Sequence, residues 1–160
     1  MTSTTYTILV VDDEELIRKL ISTILSNLKL AYITAVNGVD ALNKIKENKF
    51  DAVITDIKMP EMDGIMLTRE ISSQYPGLPV MVMTGFDEEY SAATAISVGA
   101  REFIKKPFSV EEFSLRLQKM IGDSETLKEL KIEKDREDDI NDLMNELETA
   151  LEKDLESRQK

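Results

Sequence analysis

Cysteine and histidine are both missing from the 160 residues. Without Cys there are no disulfides and no thiolate chemistry. Without His the commonest general base and metal ligand is gone, so any chemistry falls to carboxylates, hydroxyls and lysines. Residues 1–7 carry no basic stretch of the kind that opens an export signal, and no apolar run approaches the length of a membrane span. Positive charge is also in short supply. Lys and Arg number 20 against 31 Asp and Glu, a formal charge of -11 that repels nucleic-acid phosphates and anionic lipid heads. Neither nucleic acid nor membrane is an expected partner, and the expected location is cytoplasmic.

With 42% hydrophobic residues, a chain of this length can bury one good core and carry an appendage. The organising stretch is residues 51–56, a short run rich in β-branched residues that reads as a buried strand ending at Asp56. Pro60 and Gly64 keep the following loop open: Pro60 delays the next helix, and Gly64 permits a turn that other residues resist. Further strands are expected over residues 8–11, 31–36, 79–84 and 102–104. Helical spacing follows each: Leu16, Ile17, Leu20, Ile21, Ile24, Leu25 and Leu28, then Val39, Leu42 and Ile45, then Ile65, Leu67 and Ile71, then residues 87–98. Ser109 reads as the cap of a last domain helix with an apolar stripe of Val110, Phe113, Leu117, Met120 and Ile121. Five alternations of strand and helix imply a parallel sheet with helices on both faces.

At Gly122 the composition shifts. Residues 122–160 hold 14 acidic and 7 basic side chains. Within them, residues 133–139 contain nothing apolar, whereas Ile140, Leu143, Met144, Leu147, Leu151 and Leu155 recur at helical spacing. The expected organisation is a domain over 1–121 and an acidic helical extension over 122–160, serving as a coiled coil or a linker helix.

Several chemically capable side chains fall at carboxyl ends of strands: Asp12 and Asp13, Asp56, Thr84 and Lys106. That rim is where open α/β sheets bind ligands. With the first and third strands adjacent, the three carboxylates converge and repel by roughly 1 to 4 kcal/mol per pair. A hard divalent cation such as Mg²⁺ offsets this, being held by carboxylates together with substrate phosphate. Thr84 and Lys106 suit phosphoryl oxygens, and Asp56 is a carboxylate able to form an acyl phosphate. Phosphoryl transfer needs positioning and charge neutralisation more than acid and base, which fits a site without His. Taken singly, the acidic pair reads as a helix cap, Thr84 as a strand end, Phe103 as core and Lys106 as solvated charge. The weight lies in their falling on one rim.

Asp12-Asp13, the run from Asp56 through Pro60 to Gly64, Thr84-Gly85 and Lys106-Pro107, in this order and spacing, resemble the receiver domain of two-component response regulators, over residues 6–121. The resemblance implies a flavodoxin-like sheet of strand order 2-1-3-4-5 with five helices. It implies that Asp56 accepts a phosphoryl group from the phosphohistidine of a sensor histidine kinase or phosphotransfer protein, and that the protein hydrolyses it slowly rather than acting as a turnover enzyme. Asp12, Asp13, Asp56 and the backbone carbonyl of Lys58 would hold Mg²⁺, Thr84 and Phe103 would form a switch pair, and Lys106 would contact phosphate ahead of a cis Lys106-Pro107 bond. Lys58 and Phe86 would shield the acyl phosphate from water. Output would pass through the face made by the fourth helix, fifth strand and fifth helix, or through a homodimer formed there or by the C-terminal helix, with no DNA-binding output domain. The absence of basic residues over 87–98 argues against the charge-paired dimer of the winged-helix subfamily. The rival readings are a receiver fragment of a larger signalling protein, a Mg²⁺-dependent aspartyl-phosphate hydrolase, and an unphosphorylated scaffold.

Overall fold

A computed structural model describes residues 5–85 and 92–158. Elements alternate along the chain as β1 (Thr7–Val11), α1 (Glu15–Asn27), β2 (Ala31–Ala35), α2 (Gly38–Glu47), β3 (Ala52–Asp56), α3 (Gly64–Gln74), β4 (Val80–Thr84), α4 (Ala92–Ser97), β5 (Glu102–Lys105) and α5 (Val110–Arg158). All strand pairings are parallel, in the order β2-β1-β3-β4-β5. This is the five-stranded, flavodoxin-like sheet that the receiver resemblance implies. Phe86, and the part of the expected fourth helix over 87–91, lie outside the described residues.

Burial explains the strand sequences. Every residue of β3 and β4 is buried, which is why they read as continuous apolar runs, whereas β2 at the sheet edge is only partly buried. Alternation along each strand sends side chains to two cores. Leu9, Val11, Val53, Val80 and Val82 pack with residues of α2, α3 and α4, while Ile8, Val10, Ile54, Met81, Met83 and Ile104 pack with residues of α1 and α5.

The apolar stripes are narrower than their spacing suggests. On α1, Ile21, Ile24 and Leu25 are buried, but Leu16 is 78% exposed. On α5, Phe113, Leu117, Met120 and Ile121 are buried, whereas Val110 is exposed because it precedes the first turn that meets the sheet. Ser109 does cap α5, its Oγ accepting from Glu112 N at 3.0 Å. Gly122 does not interrupt that helix.

The chain divides into two compact units, residues 1–124 and 125–160. The second is helical over 125–158, and Ile140, Leu143, Met144, Leu147, Leu151 and Leu155 are each more than half exposed. No helix among the described residues is long and apolar enough to cross a membrane.

Candidate functional site

Register and alternation together bring the charged groups to one place. Val10 of β1 pairs with Ile54 of β3, so Asp12 and Asp56, two residues further along each chain, stand at the same level at the carboxyl edge. Lys106 continues the parity of Ile104 on β5. A carboxylate oxygen from each of Asp12, Asp13 and Asp56 lies within 4.8 Å of the others. Lys106 Nζ stands 3.2 Å from Asp56 Oδ1 and 3.6 Å from Asp12 Oδ2. Asp12 and Asp56 are buried and Asp13 is exposed, so one side of the cluster faces the protein and the other faces solvent.

The acidic pair is not a helix cap. Glu14, the N-cap of α1, makes no side-chain capping bond, and Asp12 Oδ1 instead accepts from Glu14 N at 2.9 Å. That leaves Asp12 Oδ2 buried and without a hydrogen bond, facing the Lys106 ammonium. Burial raises the Asp12 carboxyl above its ordinary value of 3.8; the Glu14 N–H and the Lys106 charge oppose the shift and Asp13 adds to it. For Lys106, burial pulls the ammonium down, but Asp56 and Asp12 outweigh it and hold the group above 10.5. A single ammonium balances one of three clustered carboxylates. The remaining negative charge, offered by hard oxygens half open to water, fits a divalent cation of the Mg²⁺ type.

The neighbouring groups are placed by backbone. Lys106 N–H donates to Thr84 O at 2.8 Å, joining the cation-bearing loop to the end of β4. The peptide between Lys106 and Pro107 is cis. Thr84 is buried, and it shares the parity of Val80 and Val82. Phe103 sits opposite Val82 in the ladder and packs, half-buried, against that same core. Thr84 and Phe103 therefore occupy one face of the sheet, the face covered by α2, α3 and α4. Lys58 is exposed and lines a cleft of about 420 Å³ with Asp13, Ile57, Met59, Pro60 and Asp63.

The loop after Asp56 is shaped differently from its expected form. Gly64 is not in the left-handed region; among the described residues Gly99 is the glycine there. What Gly64 provides is space, since a Cβ on it would stand 2.0 Å from Asp56 O and 2.9 Å from Asp56 C. The Asp56 carbonyl also accepts from Thr55 Oγ1 at 2.9 Å. The left-handed residue is Glu61, at φ 67, where Met62 N donates to Pro60 O at 2.8 Å in a three-residue turn. Asp63 then caps α3, accepting from Met66 N at 2.8 Å.

Two contributors have no motif to betray them. Thr55 sits next to Asp56 but reads simply as a β-branched strand residue. Arg18, in α1, reaches back so that Nη1 donates to Asp12 O at 2.7 Å. Arg at a helical position is too common to signal such a bond.

The sequence signature of the response regulator receiver domain matches residues 8–118. The chain belongs to this receiver family. Among curated relatives, the receiver is 35% identical over 118 residues to the alkaline phosphatase synthesis transcriptional regulatory protein PhoP of Bacillus subtilis (strain 168), covering 74% of this chain and 49% of the relative. It is 36% identical over 124 residues to the regulatory protein AtoC of Escherichia coli (strain K12), covering 78% of this chain and 27% of that one. The chain thus spans half or less of the length of these relatives. Among solved structures, the receiver domain of NtrX from Brucella abortus is 37% identical, with a TM-score of 0.68, covering 72% of this chain and 98% of that one. A response regulator receiver domain protein from Clostridium thermocellum is 32% identical, with a TM-score of 0.72, covering 76% and 98%.

Proposed function

We propose that this receiver takes a phosphoryl group onto Asp56 from the phosphohistidine of a sensor histidine kinase or phosphotransfer protein, and uses it to change its association with a downstream protein or with itself. The observation that carries the reading is the meeting of three carboxylates within 4.8 Å under a lysine 3.2 Å from Asp56. A carboxylate oxygen of Asp56 attacks phosphorus, an O–P bond forms as the N–P bond breaks, and the imidazole leaves with the electron pair and gains a proton. Asp12, Asp13, Asp56 and the Lys58 carbonyl would hold Mg²⁺, which when bound supplies charge neutralisation for the phosphoryl oxygens.

Lys106 pairs with a phosphoryl oxygen and Thr84 donates its hydroxyl to another. As Thr84 is drawn toward the phosphoryl group, Phe103 turns into the space it leaves. That rearrangement alters the surface of α4, β5 and α5, where Ala92, Ile96, Arg101 and Phe103 help to line a cleft of about 400 Å³. A differential of roughly 1 to 3 kcal/mol between the two states is enough to serve as a signal. Self-association would run through this face or through the Ile140 to Leu155 stripe. Water then releases phosphate slowly.

Incubation with Mg²⁺ and acetyl phosphate tests the reading. A stoichiometric, base-labile adduct that Asp56→Asn abolishes is expected. Many turnovers would make the protein a hydrolase, and no adduct would make it a scaffold. Light scattering with and without the phosphoryl group, on the full chain and on residues 1–124, reads the association.

A further inference from the structure

Asp12 is fastened at three points around the one carboxylate oxygen that faces Lys106 without a hydrogen bond. Its N–H donates to Ala35 O of the edge strand at 3.1 Å, its Oδ1 accepts from Glu14 N at 2.9 Å, and its carbonyl O accepts from Arg18 Nη1 at 2.7 Å. The first two bonds are made with backbone groups, the Ala35 carbonyl as acceptor and the Glu14 N–H as donor. The third is a side chain reaching back from within α1. The Asp12 carbonyl belongs to the peptide that it shares with Asp13, so a donor that fixes this carbonyl also fixes the plane from which the Asp13 Cα departs. One guanidinium thereby holds the peptide from which both neighbouring side chains branch.

We propose that Arg18 is a positioning residue for the divalent-cation site, aligning Asp12 and Asp13 through the carbonyl between them rather than through its charge. This rests on the receiver reading. The charged groups that bear most on Asp12 are Lys106, Asp13 and Glu14, not Arg18. Arg18 lies on the half-exposed flank of α1 and carries none of the buried core, so its replacement alters the clamp without opening a cavity. Partners that hold a metal ligand in place, without touching the metal, typically contribute tenfold or more to metal affinity.

The test is Mg²⁺ binding by calorimetry, with no phosphoryl donor, for wild type and Arg18→Met at about 0.05 M and about 0.5 M NaCl. At the higher salt, charge acts over only about 4 Å. Binding about tenfold weaker in Arg18→Met is expected at both salts. In acetyl phosphate reactions, the half-saturating Mg²⁺ concentration should rise similarly, with the larger change in this requirement rather than in the rate at saturating Mg²⁺. Unchanged Mg²⁺ affinity overturns the proposal, whether or not the melting temperature falls. A loss that disappears at the higher salt overturns it as well, since it would make Arg18 a long-range charge. If wild type itself forms no Asp56 adduct, the proposed phosphoacceptor function falls, a result distinct from wild type and Arg18→Met behaving alike.

Discussion

Asp13 is the exposed member of the carboxylate cluster, and replacing it with asparagine separates the cost of that cluster from its use. At 4.8 Å two unit charges repel by about 0.9 kcal/mol in a water-like medium and by about 3.5 kcal/mol at an effective dielectric near 20. Solvent reaches Asp13, so the lower figure governs, and its two pairs, with Asp12 and Asp56, together cost roughly 2 kcal/mol. Salt screening of the exposed Asp13 charge trims this to a net gain of about 1 kcal/mol. Asn preserves volume, so no packing change masks it. Urea unfolding in EDTA should therefore show Asp13→Asn as more stable than wild type by about that amount. With Mg²⁺ at tenfold over its Kd, wild type should gain about 1.4 kcal/mol, and the variant, short of one ligand charge, should gain less than half as much. The order of stabilities then closes or reverses on adding the metal. An Asp13→Asn protein less stable than wild type in EDTA, or one that gains equally from Mg²⁺, would refute the electrostatic account.

Gly64→Ala should cost about 2 to 4 kcal/mol in urea unfolding, because the new methyl meets the Asp56 backbone, which cannot yield as a side chain does; a loss below about 1 kcal/mol would show that the loop accommodates it. For Asp12 the folded carboxyl is raised, so its ionised form weighs against folding at neutral pH and the penalty fades as pH falls through the raised value toward 3.8. The metal-free stability advantage of Asp12→Asn over wild type should accordingly be largest near neutral pH and shrink on acidification, as read from paired urea curves; an advantage that grows with acid would reverse the sign. Ser109→Ala removes the α5 cap and should lower stability by about 1 kcal/mol, checked by thermal unfolding of the full chain.

The sheet and the charged rim were legible because both follow from one-dimensional rules. Buried parallel strands write themselves as apolar runs, and a residue just past such a run stands at the ligand-binding edge. Asp12, Asp56 and Lys106 could thus be brought together before any coordinates. Gly64 could be marked as necessary but not for the right reason, since flexibility and close approach leave the same letter in the sequence. Val110 and Leu16 fit the helical period yet are exposed, because period gives a stripe's direction and not its width. Arg18 was invisible because its bond depends on where the β1 to α1 turn aims a long side chain.

The strand parities carry a last consequence. Asp12, Asp56 and Lys106 follow the residues that point toward α1 and α5, whereas Thr84 and Phe103 follow those that point toward α2, α3 and α4. On the proposed function, the groups that would receive the phosphoryl and those that would relay it thus follow opposite faces of a partition one peptide layer thick, joined at the Lys106 to Thr84 hydrogen bond. Random mutagenesis should sort accordingly: lesions beneath α1 and α5 would blunt loading of the site, and lesions beneath α4 would leave loading intact while silencing the message.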